Sequence, residues 1–313
     1  MLKLKVLNNL EDTYNNFFDS VDFINYHSKR KGLGIISVGV YDAESESQIT
    51  HISLTGSDGV WRTPVTGAYG GIKNDAKIST KAIEFLIKNL PDFLQSITDV
   101  TSISIKLPPG DFLNQSTLIS SLLSKSGWTI QSIDINYHLS ISSVEYFMKN
   151  LNKSKRKLLR RLEKDNFQFR SFGVSNISEI YNVIKKNRCS QKIPMTMSQP
   201  AIISLIEKFP NDILLFGVLQ SEVLVASSIC IRINSNCLYV FYWGELPEYR
   251  KASPVSLLAK GLVSHCIKSD FAYLDLGTCS TNENVNLGLA QLKSSLGGTI
   301  SPKFTFLWSK VKR

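Results

Sequence analysis

Apolar and polar residues follow one another along the chain in short blocks, and the period of each block predicts its secondary structure. In the first half, alternating blocks predict strands, and the block at 49–54 is expected to pair antiparallel with the one at 33–41. Blocks with helical spacing lie between them. The predicted elements are strands at 2–6, 33–41, 49–54 and 102–107, helices at 11–28, 80–95 and 115–126, and an apolar segment at 128–141.

The second half also mixes helices and strands. Three strands separated by short polar breaks predict an antiparallel meander. Ser253 and Pro254 suit the N-cap and first position of the next helix. The predicted elements are a basic helix at 153–164, a strand at 167–172, helices at 177–188 and 199–208, strands at 212–220, 222–233 and 236–245, and a helix at 254–267.

A glycine-rich stretch, GSDGVWRTPVTGAYGGI at 56–72, interrupts the first half. Pro64 and the repeated glycines are expected to exclude a regular helix or central strand. Two adjacent glycines permit a ligand to approach closely, so Arg62 and Tyr69 are candidate binding residues. An ordinary turn is an equally good interpretation, because the spacing matches no phosphate or dinucleotide fingerprint.

The length of 313 residues, with 43% apolar content, predicts two domains, at 1–149 and 150–313. The five cysteines lack metal-ligand spacing, so neither a disulfide framework nor a metal site is expected. The chain has no run of about eighteen apolar residues and no signal-like N-terminus, which predicts a soluble cytoplasmic protein.

The net charge of +10 is concentrated in the second half. Residues 1–149 contain 13 basic and 15 acidic side chains, and the rest contain 23 and 11. The segment 153–170 alone has 8 basic and 2 acidic residues, Arg160 among them. This helix is either a solvated amphipathic face or a binding surface for a phosphate-rich ligand, such as a nucleotide-linked acceptor or a transfer RNA. It lacks the aromatic interleaving of an RNA-binding module.

Near the C-terminus, FAYLDLGTCS at 271–280 and TNENVNLGLAQLKSSLGG at 281–298 predict a strand, a polar loop and a helix. Leucines at helical spacing are expected to pack this helix against the core. Lys293 is its one charged residue. Asp275, Asn284 and Asn286 surround the loop and are expected to fix it or cap the helix.

The pattern LDLGT…N-x-G-L-x-x-x-K-x-x-x-G-G in these residues resembles the last strand and helix of the GNAT acyltransferase fold, and most of all its FemAB-like, double-domain branch of peptidoglycan-bridge aminoacyltransferases. The resemblance implies an α/β (α+β) protein of tandem GNAT-like domains, each a mixed, mostly antiparallel sheet flanked by helices. It implies an acceptor side in the first domain, catalysis in the second and no metal.

The resemblance also implies site residues. Lys293 would stabilise the oxyanion formed on a carbonyl oxygen; alternatively, it extends to solvent from an exposed helix face. Tyr242 and Glu245, at the end of the strand before the 254–267 helix, would accept a proton or orient the amine. The alternative places Tyr239, Phe241 and Trp243 in the core and Tyr242 half-exposed.

The turn before the 254–267 helix is the predicted donor site. A helix start presents unpaired N–H groups, and Arg250, Lys251 and Ser253 lie beside it, an arrangement that suits a pyrophosphate. An equally good interpretation is that Arg250 and Lys251 belong to an ordinary solvated turn. The family's glycines are absent at this turn. Asn286 is a further donor-binding candidate, and Arg160 joins Arg62 and Tyr69 as candidates for binding the acceptor.

The predicted function is therefore N-acyl transfer from acyl-CoA or aminoacyl-tRNA to an amine, such as that of a sugar or cell-envelope precursor. The chain lacks the long helical hairpin of some peptidoglycan-bridge enzymes, which favours CoA or a smaller donor. A non-catalytic protein that binds an anionic glycan or nucleic acid is the main alternative, and a structural partner in a biosynthetic complex is the weaker one.

Overall fold

The computed structural model describes residues 1–7, 16–73, 78–110, 115–281 and 284–310. The chain forms two compact units, one of Met1–Ile135 with Ser301–Arg313 and one of Asn136–Ile300. We predicted a division after residue 149, whereas the compact units divide after residue 135. The C-terminal residues belong to the first unit because their strand pairs with a strand of that unit.

The element bounds follow from the backbone hydrogen bonds. The strands are β1 (Leu2–Val6), β2 (Gly34–Asp42), β3 (Gln48–Ser57), β4 (Val60–Thr63), β5 (Ser102–Lys106), β6 (Thr129–Ser140), β7 (Phe167–Phe172), β8 (Ile213–Gln220), β9 (Val223–Asn234), β10 (Cys237–Glu245), β11 (Tyr273–Thr278), β12 (Ser280–Thr281), β13 (Asn284–Val285) and β14 (Thr299–Ser309). The helices are α1 (Val21–Lys31), α2 (Thr80–Ile97), α3 (Ser116–Lys125), α4 (Val144–Asn150), α5 (Lys153–Lys164), α6 (Ile177–Ser190), α7 (Gln199–Lys208), α8 (Val255–Lys268) and α9 (Leu287–Ser295).

Two predictions for the first half need correction. The glycine-rich stretch contains a strand, β4, which pairs antiparallel with β3 and parallel with β5. The helix predicted at 11–28 begins in residues 11–15, which lie outside the described part of the chain. Its described part opens with a short turn at Phe17–Asp19, and α1 starts only at Val21 because the Ser20 hydroxyl caps it by accepting from the Phe23 N–H.

In the first unit, β1, β2, β3 and β4 form an antiparallel run, β5 joins β4 in parallel, and β14 pairs antiparallel with β5. Apolar residues of α2 pack against this sheet at helical spacing and exclude water from it. The core contains Val38, Val40, Ile52, Leu54, Ile83, Leu86, Leu90, Ile103, Ile105 and Phe306.

In the second unit, β7, β8, β9 and β10 form the predicted antiparallel meander. β11 joins β10 in parallel, and the end of β6 pairs antiparallel with β11. α6 packs on β9 and β10, and α8 packs on β7, β8 and β9. Gly261 lets α8 approach β7 closely, because a Cβ there would lie 2.1 Å from the Phe169 ring.

None of the described helices is long and apolar enough to cross a membrane. All five cysteines are free thiols, and four of them are buried.

Candidate active site

The C-terminal end of β11 contains a bulge at Gly277. Gly277 has φ 76°, a left-handed conformation that favours glycine, and a Cβ there would lie 3.3 Å from the Tyr239 ring. The Asp275 carboxylate, 0% exposed, accepts at Oδ1 from the Gly277 N–H and from the Asn136 side-chain amide, each at 2.8 Å. The bulge is therefore fixed by a buried carboxylate.

Lys293 lies in the interior beside this bulge. Its side chain is 1% exposed, and its Nζ donates to the carbonyl oxygens of Gly277 at 2.7 Å and Thr278 at 2.9 Å. Burying an ammonium is costly unless hydrogen bonds replace its water, and these two carbonyls do so. The alternative in which Lys293 extends to solvent is therefore wrong.

The helix that presents Lys293 differs from the prediction in its packing. α9 starts at Asn286, whose Oδ1 accepts from the Leu289 N–H at 2.9 Å, as expected of a cap. Leu287, one of the leucines whose spacing predicts a closely packed helix, is 75% exposed, and Lys293 is buried in the helix instead.

β10 and β11 run parallel, so their C-terminal ends lie at the same edge of the sheet. Their pairing extends from Cys237 with Tyr273 to Tyr239 with Asp275. Beyond that level both strands shift register against their outer neighbours, β10 after Val240 and β11 after Asp275. Such irregularities bend strands, and the pairing of β10 with β11 ends at this level. Glu245 ends β10, and the carbonyls that hold Lys293 end β11.

Glu245 is 8% exposed and caps α8, since its Oε2 accepts from the Val255 N–H at 3.1 Å. Burial raises the pKa of this carboxyl from 4.5 to about 7, while the Val255 N–H, Lys155 and Arg250 oppose the shift. The start of a helix favours an anion. Here the protein's own carboxylate takes that position.

Lys155, from α5, also lies at the start of α8. Its Nζ donates to the hydroxyls of Ser253 and Ser256, each at 3.1 Å. Burial lowers the pKa of Lys155, and Glu245 partly offsets this. Ser253 has φ 51° and is not the N-cap that we predicted; that position is Pro254, and Glu245 supplies the side-chain hydrogen bond.

The predicted donor residues do not act as one group in this structure. Arg250 and Lys251 are exposed, and Arg250 donates to the Ser190 hydroxyl at 2.8 Å, at the end of α6. Ser253 is hydrogen-bonded to Lys155, and Asn286 caps α9. The start of α8 is thus occupied by side chains of the protein itself.

Tyr242 is buried, not half-exposed, and it faces the segment that follows α6. Its hydroxyl is hydrogen-bonded to the Thr196 hydroxyl, and the Arg188 guanidinium lies 5.5 Å from its ring centroid. Phe241 and Trp243, which the alternative placed in the core, are only partly buried. Tyr242 is therefore more deeply buried than Phe241 and Trp243, which is the reverse of what that alternative assumed.

The candidates of the first unit lie in different surroundings. Arg62 is exposed on β4, whereas Tyr69 is 0% exposed and contacts Phe18 edge to face. A Cβ at Gly70 would lie 2.6 Å from oxygens of Asp19 and Thr63. The glycines of this loop thus allow the protein to pack on itself, and Tyr69 presents no surface to a ligand.

Sequence reasoning missed Lys155 and Asn136. Lys155 has a detectable signal: it lies four and seven residues before Leu159 and Leu162, both buried, so helical spacing places it on the inner face of α5. Asn136 gives no such signal, because it contacts Asp275 across 139 residues of sequence.

No family model and no curated protein matches this chain. Among solved structures, that of FemX is similar with a TM-score of 0.73 at 10% identity, over 98% of this chain and 97% of that one. L-PGS from Bacillus licheniformis gives 0.54 at 8% identity, over 92% and 91%. A tandem GNAT protein from the clavulanic acid biosynthesis pathway gives 0.51 at 9% identity, over 99% and 98%. At this identity the likeness shows the fold, and the chain therefore has the tandem GNAT fold of the FemX kind, as its last strand and helix predicted.

Proposed function

We propose that this protein transfers an acyl or aminoacyl group from an activated ester or thioester to an amine. The observation that supports this best is the buried Lys293 ammonium, held at the end of β11 beyond the last residues that pair with β10. A fixed cation in a water-poor place is what an acyl transfer needs, because negative charge develops there on the carbonyl oxygen.

In the proposed reaction the amine nitrogen attacks the carbonyl carbon, and the carbonyl oxygen takes the electron pair beside Lys293. The intermediate then expels the thiolate or alkoxide as the amide forms. Removing one such oxyanion donor typically slows turnover by about 10²–10³-fold.

The proton that the amine loses would go to Glu245. Its pKa of about 7 suits a base working near neutral pH, and it ends the strand parallel to β11. One hydrogen bond from Val255 leaves a carboxylate with further acceptor capacity. Tyr242 is the weaker candidate, since its hydroxyl is already bonded to Thr196.

For the donor, we propose aminoacyl-tRNA ahead of acyl-CoA. A pyrophosphate at the start of α8 would have to displace the Glu245 carboxylate. The exposed face of α5 offers instead a row of cations about 16 Å long, which suits a chain of phosphates. The row comprises Lys153, Lys157, Arg160 and Lys164. The acceptor would be the amine of a sugar or cell-envelope precursor, with Arg62 as the remaining exposed candidate in the first unit.

The test compares Lys293→Met with Lys303→Met. Lys303 is also buried, with its Nζ 3.8 Å from Asp134 in the first unit, so its loss controls for removal of a buried lysine. Both variants and the parent are incubated with labelled aminoacyl-tRNA or acetyl-CoA and a panel of amines. We expect Lys293→Met alone to slow amide formation per folded molecule, by about 10²–10³-fold. An unchanged rate in that variant would refute the mechanism.

The row of cations on α5 also supports a second candidate, a non-catalytic protein that binds a polyanion. In that case the protein would bind RNA with strong salt dependence and form no amide with any donor or acceptor in the same assay.

A further inference from the structure

We propose that Asp275 is a positioning residue that holds the Lys293 ammonium in place through the backbone of Gly277. The proposal rests on the proposed function for its catalytic meaning, although the geometry stands by itself. Asp275 is buried, and the role proposed above for Lys293 makes no use of it.

The connection consists of consecutive hydrogen bonds. Asp275 Oδ1 accepts from the Gly277 N–H at 2.8 Å, and the Gly277 carbonyl accepts from Lys293 Nζ at 2.7 Å. The Asp275 carboxylate thus binds the N–H of Gly277, and the Lys293 ammonium binds the carbonyl of the same residue. Because Gly277 is glycine with φ 76°, its backbone has many alternative conformations, and the carboxylate selects one of them.

The carboxylate is itself held. Asn136, on β6, donates its side-chain amide to the same Oδ1 at 2.8 Å. β6 pairs with β11 up to Asn136 opposite Thr278, with the register shift between Asp275 and Gly277. At this level β11 is irregular, so the backbone hydrogen bonds between the strands cannot fix Asp275. The hydrogen bond from Asn136 fixes it instead.

A capping role confined to the loop would explain the Asp275 bonds but would give no link to Lys293. The link matters because the bulge that Asp275 fixes determines the positions of both carbonyls that bind the ammonium, those of Gly277 and Thr278. Loss of the bulge would move both acceptors together, and a group misplaced by about 1 Å can lose a large part of its catalytic effect.

Two variants separate the contributions. Asp275→Asn keeps an Oδ1 that can accept from both Gly277 and Asn136, whereas Asp275→Ala removes it. Leu258→Ala, in the core of α8, is the control for loss of stability in the same unit. Folding of each variant is checked by thermal melting.

The readout is reductive methylation of lysines with formaldehyde and borohydride in the folded protein, quantified at each lysine by mass spectrometry. We expect Lys293 to be protected in the parent, in Asp275→Asn and in Leu258→Ala. In Asp275→Ala it should react as readily as the half-buried Lys155. Protected Lys293 in a folded Asp275→Ala variant, or equal reactivity in the Asn and Ala variants, would overturn the proposal.

With a transfer assay in hand, Asp275→Ala should lower kcat by about 10²-fold with little change in KM, and Asp275→Asn should restore it. The methylation result needs no turnover. If Lys293 becomes reactive in Asp275→Ala but the parent protein transfers nothing, the positioning role stands and the proposed function fails.

Discussion

Replacing Glu245 by glutamine should make the protein more stable at pH 8 and leave it unchanged near pH 4.5. Glutamine has nearly the same shape, and its amide oxygen can still accept from the Val255 N–H. The substitution therefore removes the negative charge and keeps the cap of α8. Two opposing effects are at issue, since burial disfavours the carboxylate, whereas the helix start, Lys155 and Arg250 favour it.

The expected magnitude follows from the pKa of Glu245, which is about 7 in the folded protein against an ordinary 4.5. A raised carboxyl pKa means that the folded state binds more protons than the unfolded state between these values, so stability falls as pH rises from 4.5 to 7 and is level above. The loss is about 2–3 kcal/mol between pH 5 and pH 8. Glutamine does not titrate, and the variant should be spared that loss.

The assay is thermal melting of both proteins at pH 5 and pH 8. At roughly 2–4 °C per kcal/mol for a unit of this size, the Tm of Glu245→Gln should exceed that of the parent by about 5–10 °C at pH 8 and by much less at pH 5. Glu248→Gln, at an exposed glutamate of the same turn, is the matched control for the loss of a carboxylate. A Glu245→Gln variant less stable than the parent at pH 8 would refute the reasoning, because Lys155 and the helix start would then outweigh burial.

Three further predictions concern other parts of the chain. Gly261→Ala should lower the free energy of unfolding of the second unit, measured in urea, by roughly 1–3 kcal/mol, because the new Cβ would lie 2.1 Å from the Phe169 ring. The control Gly288→Ala should be close to neutral, because its Cβ would meet nothing closer than 3.6 Å. Replacing Lys157 and Arg160 by glutamine should reduce the slope of log K for RNA binding against log salt concentration by about 1–2. The same change at the exposed Lys185 and Lys186 should leave that slope unchanged, and equal effects of the two double variants would argue against a binding face on α5. Burial raises the pKa of Asp19 from 3.8 to about 7, so the stability of the first unit should fall between pH 4 and pH 7 in the parent and not in Asp19→Asn. A difference in Tm between the two proteins that stays constant across this pH range would contradict the prediction.

Local patterns were enough to predict the elements with a clear period. β1, β7 and α7 have the predicted bounds, and α8 differs by one residue at each end. Each is a regular block whose apolar residues recur with one clear period, so period alone specifies it. β4 was missed because Pro64 and the surrounding glycines mark a turn, although the four residues before the proline are free to pair.

The resemblance found Lys293, but spacing could not show how it is held. Its partners are the backbone carbonyls of Gly277 and Thr278, which any residue type would supply. Likewise, Glu245 was expected to handle a proton, and its bond to Val255 depends on how β10 leads into α8. Contacts of this kind are set by tertiary packing between residues far apart in sequence, and a single sequence contains no record of them.

The return of β14 to the first unit has a practical consequence for dissecting this protein. A cut after residue 149 would leave β5 without the strand that covers its outer edge, and β11 without β6. Bare edges of this kind template aggregation or strand exchange. Separately expressed halves should therefore be insoluble or pair with the wrong copy.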